Sequence, residues 1–177
     1  RERIAAEKER MAEEKAKDIA TRAHQGQYRK DGITPYINHP QAVVDILKNI
    51  GIKDDDILCA GWLHDTIEDT YITEDFLKKE FNNNIASIVK ILTRNINRGE
   101  YKKRIEHSDY SVQIVKLADT AHNCQTLSNS LPEKTIKRKV VDCQSFYIPL
   151  AKKICPKLGQ MISKYIQPFE KKYGSQK

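Results

Sequence analysis

The stretch Asp54-Asp55-Asp56-Ile57-Leu58-Cys59-Ala60-Gly61-Trp62-Leu63-His64-Asp65-Thr66-Ile67-Glu68-Asp69-Thr70 decides how the rest of the chain is read. One of the three aspartates caps a helix whose apolar side includes Ile57, Leu58, Trp62 and Leu63. That helix runs directly into a His-Asp pair, with two more carboxylates close behind. Helical periodicity extends outward on both sides. Upstream, Asn38 or His39 opens a helix that tolerates Pro40 in its first turn and presents Val43, Val44, Ile46, Leu47 and Ile50 before Gly51 stops it. Gln25 to Ile37, with Gly26, Gly32 and Pro35, reads as an irregular loop. Glu2 to His24 is Ala-, Glu- and Lys-rich and reads as a helix. Its first part, 1–17, is nearly all charge and alanine and is expected to extend from the body. The opening on Arg1, with the first Met at Met11, points to a trimmed or added segment at this end.

Downstream, Thr73 caps a short helix carrying Glu74 and Asp75 in its first turn. Further helices are predicted at about Asn84–Thr93, Tyr101–His107, Ser111–Leu127, Pro132–Ile154 and Pro156–Tyr173. No alternating stretch long enough for a convincing strand appears. The fold class is therefore all-α, and 177 residues are expected to form one domain over 1–177. Seven Gly and six Pro are too few for an all-β chain with frequent tight turns. No apolar run approaches a membrane span. Four Cys without C-x-x-C spacing, each among apolar neighbours, argue against a disulfide scaffold or zinc knuckle and fit a reducing, cytoplasmic setting.

Charge is unevenly placed. The net is +7, yet residues 132–177 hold 11 basic and 3 acidic side chains. Such a surface could steer a polyanion, or it could be a set of solvated lysine-rich helix faces. With 7% aromatic residues, a base-stacking platform has little support, so a nucleotide is the expected partner rather than a nucleic acid.

The chemistry lies in four segments: Gln27-Tyr28-Arg29-Lys30, Asn38-His39-Pro40, Leu63 to Thr70, and Lys116-Leu117-Ala118-Asp119-Thr120-Ala121-His122-Asn123. The His64-Asp65 pair offers one imidazole nitrogen and one carboxylate oxygen, but neighbouring helical side chains diverge by about 100°. Further donors must come from elsewhere, and His39 and Asp119 are the natural ones. A mixed N/O set suits manganese, iron or zinc better than magnesium. An open coordination position on such an ion acidifies water and polarises a phosphoryl oxygen. Taken singly, each residue has a bland reading: a helix-end hydrogen bond for His64-Asp65, an ordinary first-turn residue for His39. For Asp119, on an apolar stretch, the bland reading is an ion pair with Lys or Arg. Glu68 and Asp69 either share a helical face with Asp65 or line the adjacent turn. One would position or deprotonate the attacking water and the other protonate the leaving oxygen.

Read together, these segments resemble the hydrolase domain of RelA/SpoT homologues, within the HD-domain metal-dependent phosphohydrolase superfamily. The matching text is Ala23-His24-Gln25-Gly26-Gln27-Tyr28-Arg29-Lys30, Pro35-Tyr36-Ile37-Asn38-His39-Pro40, His64 to Thr70, Val115 to Asp119, and His122-Asn123 followed by Thr126-Leu127. The resemblance spans roughly residues 16–155, and the expectation is a stand-alone small alarmone hydrolase. It implies an all-α helical bundle of about eight to ten helices, with a manganese ion held by His39, His64, Asp65 and Asp119. It implies Glu68 and Asp69 as the catalytic pair, with Arg29 and Lys30 on the nucleotide phosphates and Asn123 and Thr126 on the ribose or base side. The implied reaction removes the 3′-pyrophosphate of guanosine tetra- and pentaphosphate. The chain departs from the pattern at Thr120 and Gln125, where the family usually carries basic residues. The alternative expectation is therefore a broader HD nucleotide phosphohydrolase acting on an adenosine alarmone or a phosphorylated dinucleotide. A nucleotide-sensing or nucleic-acid-binding module using the basic C-terminal helices ranks below both.

Overall fold

Asp54 is the cap that starts the central helix. Its Oδ1 accepts the Ile57 amide at 3.0 Å, and the helix α3 runs Asp55–Leu63. The computed structural model describes residues 1–174. Every residue from Ile57 to Leu63 is buried, as suits a helix surrounded by others. Its neighbours are α1 (Glu2–Ala23), α2 (Asn38–Asn49) and α6 (Asn83–Leu92). Gly61 permits the α2–α3 approach, because a Cβ there would stand 3.0 Å from both Leu47 Cδ1 and Val44 Cγ2.

The chain divides into two compact units, Arg1–Val115 and Lys116–Lys177. In the first, α1 buries Ala16, Ala20 and Ala23 along one face, while Ile4 and Met11 stay exposed. From Glu13 on it is tied down: Glu13 meets Lys48 at 2.6 Å, and Lys15 meets Glu80 at 2.7 Å. The one-turn helix α4 (Thr66–Asp69) follows α3, then α5 (Glu74–Glu80), capped by Thr73 as expected. Asn82 caps α6 and Asn97 caps α7 (Arg98–Glu106). The long helix α8 (Tyr110–Gln125) begins in this unit and runs on through residue 115.

The second unit comprises the rest of α8, α9 (Glu133–Asp142), a π-helical turn (Cys143–Tyr147), α10 (Ile148–Ile154) and α11 (Pro156–Tyr173). Ile136, Val140, Phe169 and Tyr173 form a core there, with Leu127 and Leu131 packed against it. The sequence pattern predicts one helix from about Pro132 to Ile154; the chain instead takes a π turn in its middle. Pro149 has no N–H to return to the carbonyl four residues back, and the wider turn, with the Ile148 amide on the Cys143 carbonyl, accommodates it. Counting α9 to α10 as one run and α4 as a turn, nine helices stand among the described residues, within the expected number. The described residues form no strand, only an isolated bridge between Tyr28 and Pro35.

Candidate metal centre

His39 is the second residue of α2, and it is delivered there by the loop. Its amide donates to the Tyr36 carbonyl at 2.9 Å, which turns Pro35-Tyr36 into the helix start. His64 and Asp65 occupy the break between α3 and α4. The buried Thr66 hydroxyl donates to the Leu63 carbonyl at 2.7 Å, satisfying a group that the end of α3 leaves without an intrahelical partner. The helix thus stops at Leu63, and Glu68 and Asp69 lie on the adjacent turn rather than on a continued face.

Both imidazoles are buried, and their orientation is set by hydrogen bonds. His64 Nδ1 lies 2.7 Å from the Gly61 carbonyl, which can only accept, so Nδ1 carries the hydrogen and Nε2 offers a lone pair. That Nε2 stands 3.2 Å from His39 Nε2 and 3.0 Å from Asp65 Oδ2. His39 Nε2 is 3.7 Å from the same oxygen. Three potential ligand atoms from two helices and a turn therefore face one point, each pair within 4.8 Å. Two imidazole nitrogens and a carboxylate oxygen form a donor set that fits a borderline divalent cation. The Tyr36 hydroxyl donates to Asp65 Oδ2 at 2.5 Å and fixes the carboxylate from outside the set.

Asp65, Glu68 and Asp69 also lie within 4.8 Å of one another through their carboxylates. Glu68 Oε1 accepts the Arg94 amide at 2.6 Å. The Asp69 carbonyl accepts from Gln27 Nε2 at 2.9 Å, and Gln27 Oε1 lies 2.8 Å from the buried His24 Nδ1. Asp69 lies exposed on the turn, and the partial desolvation of its carboxyl, and secondarily the neighbouring Asp65, push it above the usual carboxylate range. A carboxyl so placed is suited to holding a proton for a leaving group.

In the loop, Arg29 lies with its guanidinium 5.8 Å from the Tyr36 ring centroid, and Lys30 is exposed. Asp31 builds the turn beneath them, its carboxylate accepting the Ile33 amide at 2.8 Å, the Thr34 amide at 2.9 Å and the Thr34 hydroxyl at 2.5 Å. Gly32 takes φ 71°, a left-handed value that favours glycine at this turn.

In the second unit, Asp119 is buried on α8. Lys116 Nζ meets its Oδ2 at 2.9 Å, and Asn123 Nδ2 donates to its Oδ1 at 3.1 Å. The ion pair that a carboxylate on an apolar stretch requires is thus supplied from its own helix. Thr126 is exposed, its hydroxyl on the His122 carbonyl. Thr120 is buried and its hydroxyl donates to the Lys116 carbonyl at 2.8 Å, while Gln125 is exposed.

Tyr36, Gln27, His24, Asp31 and Arg94 join the site without a sequence pattern that assigns them a role. Tyr36, Gln27 and His24 do fall inside the motif segments, and that placement is a signal. The Arg94 contribution is a backbone amide and carries none.

These features define an all-helical protein with a compact His-His-Asp centre flanked by two further carboxylates. The HD domain pattern matches residues 16–109, and the chain belongs to the HD-domain family. It is 36% identical over 149 residues to the guanosine-3′,5′-bis(diphosphate) 3′-pyrophosphohydrolase of Haemophilus influenzae, covering 77% of this chain and 21% of that protein. The chain thus spans about a fifth of the length of the first curated relatives it matches. It is 38% identical over 133 residues to the human guanosine-3′,5′-bis(diphosphate) 3′-pyrophosphohydrolase MESH1, covering 71% of this chain and 74% of that one. A solved structure described as a metazoan ortholog of SpoT that hydrolyzes ppGpp superposes with a TM-score of 0.73. That match, at 22% identity, covers 89% of this chain and 95% of the other and confirms the all-α fold.

Proposed function

We propose that the protein is a divalent-metal-dependent guanosine-3′,5′-bis(diphosphate) 3′-pyrophosphohydrolase, releasing pyrophosphate and GDP from guanosine tetraphosphate, or pyrophosphate and GTP from guanosine pentaphosphate. The observation that carries the reading is the convergence of His39 Nε2, His64 Nε2 and Asp65 Oδ2, with the His64 tautomer locked by Gly61, beside Glu68 and Asp69. Bacterial and human relatives named for this activity support the substrate class.

His39, His64, Asp65 and Asp119 are assigned as ligands, with manganese as the resident ion and zinc or iron as competitors the same donors would take. Bound there, the ion supplies Lewis-acid polarisation of a phosphoryl oxygen and acidifies a water. Arg29 and Lys30 neutralise the clustered phosphate charge as it builds. Asn123 and Thr126 contact the ribose or base side. Glu68, with one oxygen held by the Arg94 amide, orients the attacking water and takes its proton. Asp69, the carboxyl raised by partial desolvation, delivers a proton to the departing ribose 3′-oxygen or phosphate oxygen. The substrate is a soluble nucleotide, and no described helix is long and apolar enough to cross a membrane. The proposed setting is cytoplasmic.

A broader nucleotide phosphohydrolase, acting on an adenosine alarmone or a phosphorylated dinucleotide, is the second reading. It rests on Thr120, whose hydroxyl is turned onto its own helix, and on Gln125; neither brings a cation. Product analysis on a panel with the manganese-loaded protein separates the two. Pyrophosphate and GDP from guanosine tetraphosphate support the first. Phosphate from the other substrates, with guanosine tetraphosphate left intact, overturns it.

A further inference from the structure

The geometry points to Arg104 as a positioning residue for Glu68, acting through the segment that follows α6. This deepens the hydrolase reading and rests on Glu68 being a catalytic group. Glu68 sits exposed on a single helical turn, and the Arg94 amide grips its Oε1 at 2.6 Å. The direction of that amide depends on how the chain leaves α6.

The exit is built by side chains of α7. A helix C-terminus leaves carbonyls without intrahelical partners, and here Arg104 and Tyr101 take three consecutive ones. Arg104 Nη1 donates to the Thr93 carbonyl at 3.0 Å and to the Ile91 carbonyl at 3.4 Å. Its Nη2 donates to Asn95 Oδ1 at 3.0 Å. The buried Tyr101 hydroxyl donates to the Leu92 carbonyl at 2.8 Å. Arg104 thereby fastens residues on both sides of Arg94, and the peptide between them can present its N–H in only one direction. A planar fork can span two carbonyls and an amide oxygen at once, whereas a lysine ammonium is a single flexible point. Neither Arg104 nor Arg94 needs to touch substrate for this role. A displacement of about 1 Å in a catalytic group costs about 100-fold in rate.

The test is a double-mutant cycle on the manganese-loaded full chain, following pyrophosphate release from guanosine tetraphosphate. Arg104→Lys should lower kcat by about 10- to 100-fold, with KM and manganese affinity unchanged. In a Glu68→Gln background the same substitution should cost nothing further, because the group it positions is already disabled. An equal loss in both backgrounds, a loss confined to KM, or wild-type kcat overturns the proposal. Tyr101→Phe is the milder variant should Arg104→Lys not fold; it should lower kcat a few-fold and lose that effect in Glu68→Gln. A readout independent of turnover is hydrogen exchange at the Arg94 amide, expected to accelerate about tenfold in both Arg104→Lys and Glu68→Gln. Unchanged exchange in Arg104→Lys overturns the positioning role whatever the substrate. Full activity in Glu68→Gln, with the exchange effect intact, instead removes Glu68 from the reaction and leaves the geometry standing.

Discussion

The Nε2 atoms of His39 and His64 stand 3.2 Å apart, and the lone pair on the His64 atom is enforced by the Gly61 carbonyl behind the ring. Two buried imidazoles facing each other at this distance are placed to hold one cation between them. A divalent ion should therefore bind there and raise the melting temperature. His64→Ala should abolish both ion binding and turnover, measured by calorimetry and product release. Retention of stoichiometric binding would remove His64 from the ligand set.

Asp69→Asn should retain the ion and lose most of the rate, by about 100-fold or more, because an amide is no proton donor of comparable acidity. Partial desolvation and the Asp65 carboxylate already raise this carboxyl. Metal titration and single-turnover kinetics separate the two properties. Wild-type turnover would assign the proton to another group.

Asp31 should govern the loop that carries Arg29 and Lys30. Hydrogen bonds from the Thr34 side chain and the Ile33 and Thr34 amides lower its carboxyl to about 2 from 3.8. A lowered folded value means that its contribution is present above the unfolded value and lost as the pH falls from about 3.8 through about 2. The carboxyl resonance should titrate near that lower value. Asp31→Ala should loosen the turn at neutral pH and raise KM several-fold with little change in kcat. An unchanged KM would detach the turn from substrate binding.

Gly61→Ala should destabilise the first unit by about 1–3 kcal/mol through overpacking against Leu47 and Val44. For a chain of this size that corresponds to a melting temperature lower by roughly 2–12 °C. Because Gly61 also supplies the carbonyl that orients His64, metal affinity should weaken with it. A thermal melt and a metal titration on one sample check both.

Much of this was legible in the chain. Asp54, Thr73, Gly51 and the apolar faces fall where local rules place helix starts, stops and interiors, because capping and periodicity are short-range effects. That His39, His64 and Asp65 come together was legible from their residue types, since few side chains ligate metals. What was not legible depends on backbone groups and on distance in three dimensions. The Gly61 carbonyl, the Arg94 amide and the Arg104 fork have no signature in one dimension. The π turn before Pro149 has no signature either, because apolar spacing alone does not register one extra residue in a turn.

Lys116 and Asp119 give the last prediction. They lie 2.9 Å apart on α8, and Asp119 is buried. If Asp119 is a metal ligand, Lys116 holds its charge whenever the ion is absent, and the two cations compete for Oδ2. Lys116→Met should then destabilise the metal-free protein by about 1–3 kcal/mol, less than for an unpartnered buried charge because Asn123 still donates to Oδ1. Manganese should restore that loss, so the rise in melting temperature on loading should be larger in the variant than in the wild type. The apparent metal affinity should rise in parallel, since no ammonium has to be displaced. An equal rise in melting temperature for both proteins would mean that Asp119 serves only Lys116 and Asn123 on its own helix, and the ligand set would shrink to His39, His64 and Asp65.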